Sequence, residues 1–261
     1  MIALRQCRAI LAIQLRVALS FRTDLVLQLI RSLLSIVVYY CLWRAVFAAH
    51  PQAGGLDFTF MVAYIVLVQV VHNLTRPPDL ARELAQGIQE GGIVVHLVRP
   101  YALHLYFLAE TLGAVAWRVV WVALPLFLVA LALGFPLASA AQVGLFLASL
   151  PFALVTNLSI EMTLGLAVAW LRQNEGLIQF RNFLQSFFSG ALVPLALFPP
   201  PLSALARWLP FRSTVDVPLG LYLGYLGPES LMIQASWALG LWLFSLYLLV
   251  RARKQLTILG G

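Results

Sequence analysis

Several ionisable side chains stand inside long apolar stretches of this sequence: Arg31, Arg44, Glu110, Arg118 and Glu161. A charge in hydrocarbon is expensive, so such residues generally pair with one another or line a wet path. At about 1.5 Å per helical residue, Arg118 lies roughly 22 Å from the end of its stretch near Leu103. Glu161 lies roughly 15 Å from the end near Leu171, and Arg31 and Glu110 are each roughly 10 Å in. Arg118 with Glu161, and Arg31 with Glu110, are therefore expected as ion pairs. They either fix helix register or, with Asn157 and Ser159 beside Glu161, form a polar patch on a transport path. Proton coupling through Arg118 and Glu161, as in a secondary transporter, is the alternative use of the same charges.

A second set lies between two apolar stretches, where Asp79, Arg82, Glu83, Gln86 and Glu90 crowd into one short polar segment. Leu80, Leu84 and Ile88 recur there every four residues, which predicts an amphipathic helix. Asp79, after Pro77-Pro78, is the expected N-cap, and Gly91-Gly92 the expected stop. Such a helix can rest on the membrane or touch a soluble partner.

Catalytic and metal chemistry find no support. There is no G-x-x-x-x-G-K-[ST] run to cradle phosphates, and the only lysine is Lys254. The paired glutamate and histidine motifs of an intramembrane protease do not occur. His50, His72, His96 and His104 have no ligand spacing, and Cys7 and Cys41 make neither a metal site nor a disulfide framework. No catalytic residue and no metal ligand is expected.

The elements that must position these residues follow from composition. Of 261 residues 62% are hydrophobic and 10% charged, with 17 Lys+Arg and 10 Asp+Glu. Too few charges remain to dress a water-soluble surface, which excludes an ordinary soluble enzyme, a disordered chain and a nucleic-acid binder. A bilayer-crossing helix needs about 20 mainly apolar residues. Six stretches qualify: 25–47, 58–74, 103–133, 140–171, 177–198 and 231–250. Pro125 and Pro151 are the expected kink points.

Basic residues in the loops set the orientation. With the N-terminus inside, Arg5, Arg8, Arg16 and Arg22, then Arg76, Arg82 and Arg99, then Arg172 and Arg181, then Arg251, Arg253 and Lys254 all fall on one side. Only Arg207 and Arg212 fall on the other. Both termini are thus expected in the cytoplasm, and the net charge of +7 is a topology signal rather than a ligand signal. Met1 to Phe21 lacks the clean apolar core of a secretory signal. Residues 1–22, with Arg5, Arg8 and Arg16 on one broad face, are expected to form an interfacial helix against anionic headgroups. Residues 199–230, opened by Pro199-Pro200-Pro201, are too interrupted to span and too apolar for a free loop. They are expected to form short re-entrant helices in the outer leaflet, anchored by Trp208, Tyr222 and Tyr225.

This order of elements, with two stretches of sequence, resembles the ABC-2-type permeases of ABC transporters. The run Glu83-Leu84-Ala85-Gln86-Gly87-Ile88 through Leu97-Val98-Arg99-Pro100 is similar to the family's "E-(apolar)-x-x-G-(apolar) … L-x-x-P" stretch. Ser189-Gly190-Ala191-Leu192-Val193-Pro194-Leu195, with Leu209-Pro210-Phe211 and Gly220, resembles its fifth span and outer helices. The short loops resemble the small drug- and antibiotic-exporter permeases. The resemblance implies one all-α polytopic membrane domain over 1–261, with six spans and an N-terminal interfacial helix. It implies a coupling helix at 79–92 that docks on a separate ATP-binding cassette ATPase through Asp79, Arg82, Glu83, Gln86 and Glu90. A second permease, a copy or a sister chain, would complete the path. ATP and Mg would be bound by the ATPase and no cofactor by this chain. The place of work would be the cell membrane, inner or plasma, as a multi-pass protein.

Overall fold

The computed structural model describes residues 22–49, 55–77, 79–90, 103–132, 137–171 and 174–259. The expected interfacial helix with Arg5, Arg8 and Arg16, and the Gly91-Gly92 stop, lie outside the described residues. The regular elements are helices. In chain order they are α1 (Arg22–Ala49), α2 (Phe58–Thr75), α3 (Leu80–Gln89), α4 (Leu103–Arg118), α5 (Leu124–Ala132), α6 (Ala140–Ala167), α7 (Glu175–Phe188), α8 (Pro200–Trp208), α9 (Asp216–Leu223) and α10 (Glu229–Leu259).

Among the described residues five segments are long and apolar enough to cross a bilayer, and they carry α1, α2 (in a run that continues through α3 to Gln89), α4 with α5, α6, and α10. Local chemistry sets their ends. The Asp57 carboxylate accepts the Phe60 N–H at 2.8 Å and caps α2. Ser139 and Gln142 close a reciprocal capping box on α6. Ahead of Pro125, one of the expected kink points, α4 passes into α5 through a π-turn, Val119–Ala123. Proline cannot donate to the carbonyl four residues back and crowds it, and the wider turn just upstream absorbs that mismatch. Pro151 is accommodated inside an unbroken α6.

The expected span 177–198 is not a single helix. α7 has 14 residues, about 21 Å of rise, against about 30 Å of hydrocarbon. Gly190 ends it with φ +83, in the left-handed region, and an added Cβ there would lie 2.8 Å from the Tyr64 hydroxyl. That hydroxyl donates to the Gly190 carbonyl at 2.7 Å. The Asp216 N–H, at the start of α9, donates to the Ser189 carbonyl at 3.1 Å. The end of α7 is thus stitched to α2 and α9, and the chain continues as short pieces.

α6 is the central post, with its most extensive packing against α10, α3 and α9. One apolar cluster gathers Leu80, Leu84 and Ile88 of α3 with Leu103 and Phe107 of α4, Leu158, Met162 and Leu166 of α6 and Leu249 of α10. Another joins Tyr64 and Val68 of α2 to Phe146 of α6 and Leu219 and Tyr222 of α9. Tyr222 is therefore not the expected interface anchor. It is buried, with its ring edge-on to Phe146 at 5.5 Å, whereas Trp208 and Tyr225 are exposed.

Candidate functional site: the corner between α2 and α3

α3 has ten residues, too few to hold a helix alone in water. Its stability comes from one face: Leu80, Ala81, Leu84, Ala85 and Ile88 are buried. Each of the three large side chains contributes about 1.5–3 kcal/mol on burial. The opposite face, with Asp79, Glu83, Gln86, Gln89 and Glu90, is exposed. The apolar stripe read from the sequence is the stripe the structure buries. Close approach to α6 is possible because Gly165 faces α3: a Cβ there would sit 2.6 Å from the Leu84 Cβ and 3.1 Å from the Ala81 carbonyl oxygen.

The N-terminus of α3 is capped from outside. Asp79 makes no side-chain cap bond. Its carboxylate accepts from Arg82 Nη1 at 3.2 Å instead. The capping acceptor is Glu161, reaching from α6 to take the Ala81 N–H at 3.1 Å. A carboxylate at that position also meets the positive end of the helix dipole.

Glu161 forms its ion pair with Arg181 of α7, not with Arg118. Both side chains are buried, at 6% and 9% exposure. Arg181 Nη1 donates to Gln185 Oε1 at 2.7 Å, and Gln185 Nε2 donates to Asn157 Oδ1 at 2.6 Å. Asn157 Nδ2 then donates to the Thr75 carbonyl at 3.2 Å. Asn157 thereby satisfies an end carbonyl of α2, and Glu161, one turn along α6, satisfies an orphan N–H of α3. Two side chains of one helix hold both sides of the corner where the chain leaves the second span. The ring of bonds closes through α7.

A second tie lies on the exposed side. Arg82 forks onto Glu175 at the start of α7, with Nε to Oε2 at 3.0 Å and Nη2 to Oε1 at 2.7 Å. Through these hydrogen bonds Arg82 holds the Glu175 carboxyl down at about 2, and Gln179 adds a further bond from the next turn. Arg82, expected to face a partner, thus spends its donors within the chain. Glu83, Gln86 and Glu90 remain exposed.

The other expected residues are placed differently. Arg118 is buried, and its Nη1 donates to the Arg76 carbonyl, so it stands level with the end of α2 rather than beside Glu161. Among the described residues no ion pair joins Arg31 to Glu110. Arg31 is exposed and lines a cavity together with Arg76 and Arg118. Ser159 bonds back to the Val155 carbonyl within α6. Arg44 is exposed near the far end of α1.

Sequence reasoning missed Arg181, Gln185, Thr75, Glu175 and Gly165. A signal for the first two was present. Asn157 and Glu161 are four apart, and so are Arg181 and Gln185, which gives two polar stripes at matching helical spacing in neighbouring apolar segments.

An all-helical bundle with several membrane-length helices, and an amphipathic helix docked where the second span ends, is the architecture of a multi-pass membrane protein. The family profile described as "ABC-2 family transporter protein" matches residues 23–260, and the chain belongs to that family of ABC transporter membrane proteins. No curated protein matches the sequence at a significant level.

Proposed function

We propose that this chain is the permease subunit of an ATP-binding cassette exporter, working as a dimer with a copy or a sister chain and driven by a separate ATPase. The observation that carries the reading is α3. Its apolar face is buried on α6, and Glu83, Gln86 and Glu90 face outward where a soluble subunit can reach them. The basic bias of the loops puts that end of the bundle in the cytoplasm, with both termini, in the inner or plasma membrane. ATP and Mg belong to the partner, and this chain supplies the path.

Movement of α3 under a closing ATPase would pass to the spans through the corner network. A docked rigid helix pushes on α6 through Leu84 and Gly165. The Glu161–Arg181 pair and Asn157 carry the displacement to α7 and α2. Transmission of this kind needs packed elements with more than one arrangement rather than a soft medium. The proton-coupled alternative loses its geometric basis, because Arg118 and Glu161 are not partners.

The test is copurification. The tagged chain, expressed with its genomic neighbours, is expected to bring down an ATPase in fixed stoichiometry, and vanadate should block transport. Glu83→Lys with Glu90→Lys should abolish both effects while the permease still reaches the membrane. Vanadate-insensitive transport without a bound ATPase would sink the proposal.

A further inference from the structure

We infer that the cavity between α1, α2 and α4 is a binding site for the phosphate headgroup of an anionic lipid drawn from the cytoplasmic leaflet. The cavity has a volume of about 760 Å³. Arg31 of α1, Arg76 at the end of α2 and Arg118 of α4 all line it. Two carboxylates are on the lining, Asp24 in the first turn of α1 and Asp79 at the start of α3. Three guanidinium groups face two carboxylates, of which Asp79 already accepts from Arg82, and positive charge is left in excess along the wall.

None of the three arginines is in an ion pair with a described residue. The hydrogen bond that Arg118 makes is to a neutral carbonyl, that of Arg76, and this leaves most of its five donors for the cavity. An arginine in a membrane protein that is only 9% exposed and lacks a carboxylate partner is costly unless something anionic neutralises it. Planar guanidinium forks fit a phosphate bidentately. The remaining lining fits a lipid as well. Ser32, Gln28 and Asn73 offer hydrogen-bonding groups beside the arginines. Leu25, Leu27 and Leu192 supply an apolar flank where acyl chains can lie.

Depth fits the same ligand. The cavity sits level with the end of α2 and the first turns of α1, which on the orientation proposed above is the headgroup zone of the cytoplasmic leaflet. Anionic lipids concentrate there and attract basic clusters. The exposed length of α1 forms one wall, so a lipid can enter sideways from the bilayer. The inference rests on that orientation and on nothing that the ATPase does.

The experiment uses the full chain, with whatever subunits copurify, in detergent and examined by native mass spectrometry. Phosphatidylglycerol and phosphatidylcholine of matched acyl chains are added in equal amounts. The wild type is expected to retain phosphatidylglycerol at least 5-fold over phosphatidylcholine. Arg31→Gln, on an exposed wall where folding is not at stake, should cut that preference by half or more. Arg118→Gln should cut it further. Arg44→Gln, which removes the same charge at the far end of α1, should leave it unchanged.

Equal retention of the two lipids by the wild type, in lipid nanodiscs as well as in detergent, overturns the inference. So does an Arg31→Gln preference equal to that of the wild type. Inorganic phosphate at 10 mM is expected not to displace the lipid. Displacement would overturn the lipid assignment and mark the site as one for free phosphate. Loss of the ATPase from the preparation, with the lipid preference intact, would count against the permease reading alone.

Discussion

Gly165→Ala gives the sharpest test of the α3–α6 contact. The added Cβ would lie 2.6 Å from the Leu84 Cβ and 3.1 Å from the Ala81 carbonyl oxygen. Carbon atoms settle at about 3.5–4.0 Å, so α3 must withdraw by about 1 Å. Neither obstacle is a flexible tip: one atom is the root of a side chain and the other is backbone. A retreat of that size would stretch the Ala81 N–H bond to Glu161, now 3.1 Å, beyond useful range. Overpacking of this kind costs about 1–3 kcal/mol. For a chain of this size that is an apparent melting midpoint lower by roughly 2–12 °C. The second effect concerns coupling: ATP-driven transport should fall more than the ATPase rate, because α3 no longer holds its place against α6. Thermal melts in detergent and transport in proteoliposomes read the two effects. A Gly165→Ala protein with an unchanged midpoint and unchanged coupling would refute the close-contact argument.

Three further outcomes follow from the same geometry. Arg181→Ala leaves Glu161 buried and uncompensated and should destabilise by about 3–5 kcal/mol, whereas Glu161→Leu with Arg181→Met should regain assembly but not coupling, checked by size-exclusion profile and transport. Glu175 is held at about 2 from an ordinary 4.5 by Arg82, so its contribution is complete above pH 4.5 and is lost as pH falls toward 2; the melting difference between wild type and Glu175→Gln should be flat from pH 8 to pH 5 and shrink below that. Gly190→Ala meets both a positive φ and the Tyr64 hydroxyl, and should cost about 1–3 kcal/mol, read as a lower midpoint and faster proteolysis in the segment from Leu195 to Leu223.

The sequence was most legible where pattern alone decides. The spacing of Leu80, Leu84 and Ile88 defined the buried face of α3, and the long apolar runs located the post-like helices. It was least legible where one helix serves another. The Asp79 carboxylate has the right type and position for a cap, yet Glu161, distant in sequence and close in space, supplies the bond. Depth along a single helix placed Arg118 beside Glu161. In the structure α4 extends well past the end of α2, so the same rise brings Arg118 only level with Arg76. The fifth apolar stretch looked long enough to span, but Gly190 and the Tyr64 hydroxyl divide it, and no window of hydropathy registers a tertiary hydrogen bond.

α1 buries only 6% of its most apolar window against the rest of the chain, whereas α6 buries 50% of its own. Its place in the bundle therefore depends heavily on the surrounding lipid, beyond the cluster that Trp43 and Phe47 form with Met61 and Ile65 of α2. A helix of this kind can insert as an independent unit and associate afterwards. Solubilisation replaces that lipid first, so α1 should be the earliest element to drift when detergent strips the annulus. A preparation that keeps its compact core can then lose one wall of the arginine cavity before any global unfolding is seen.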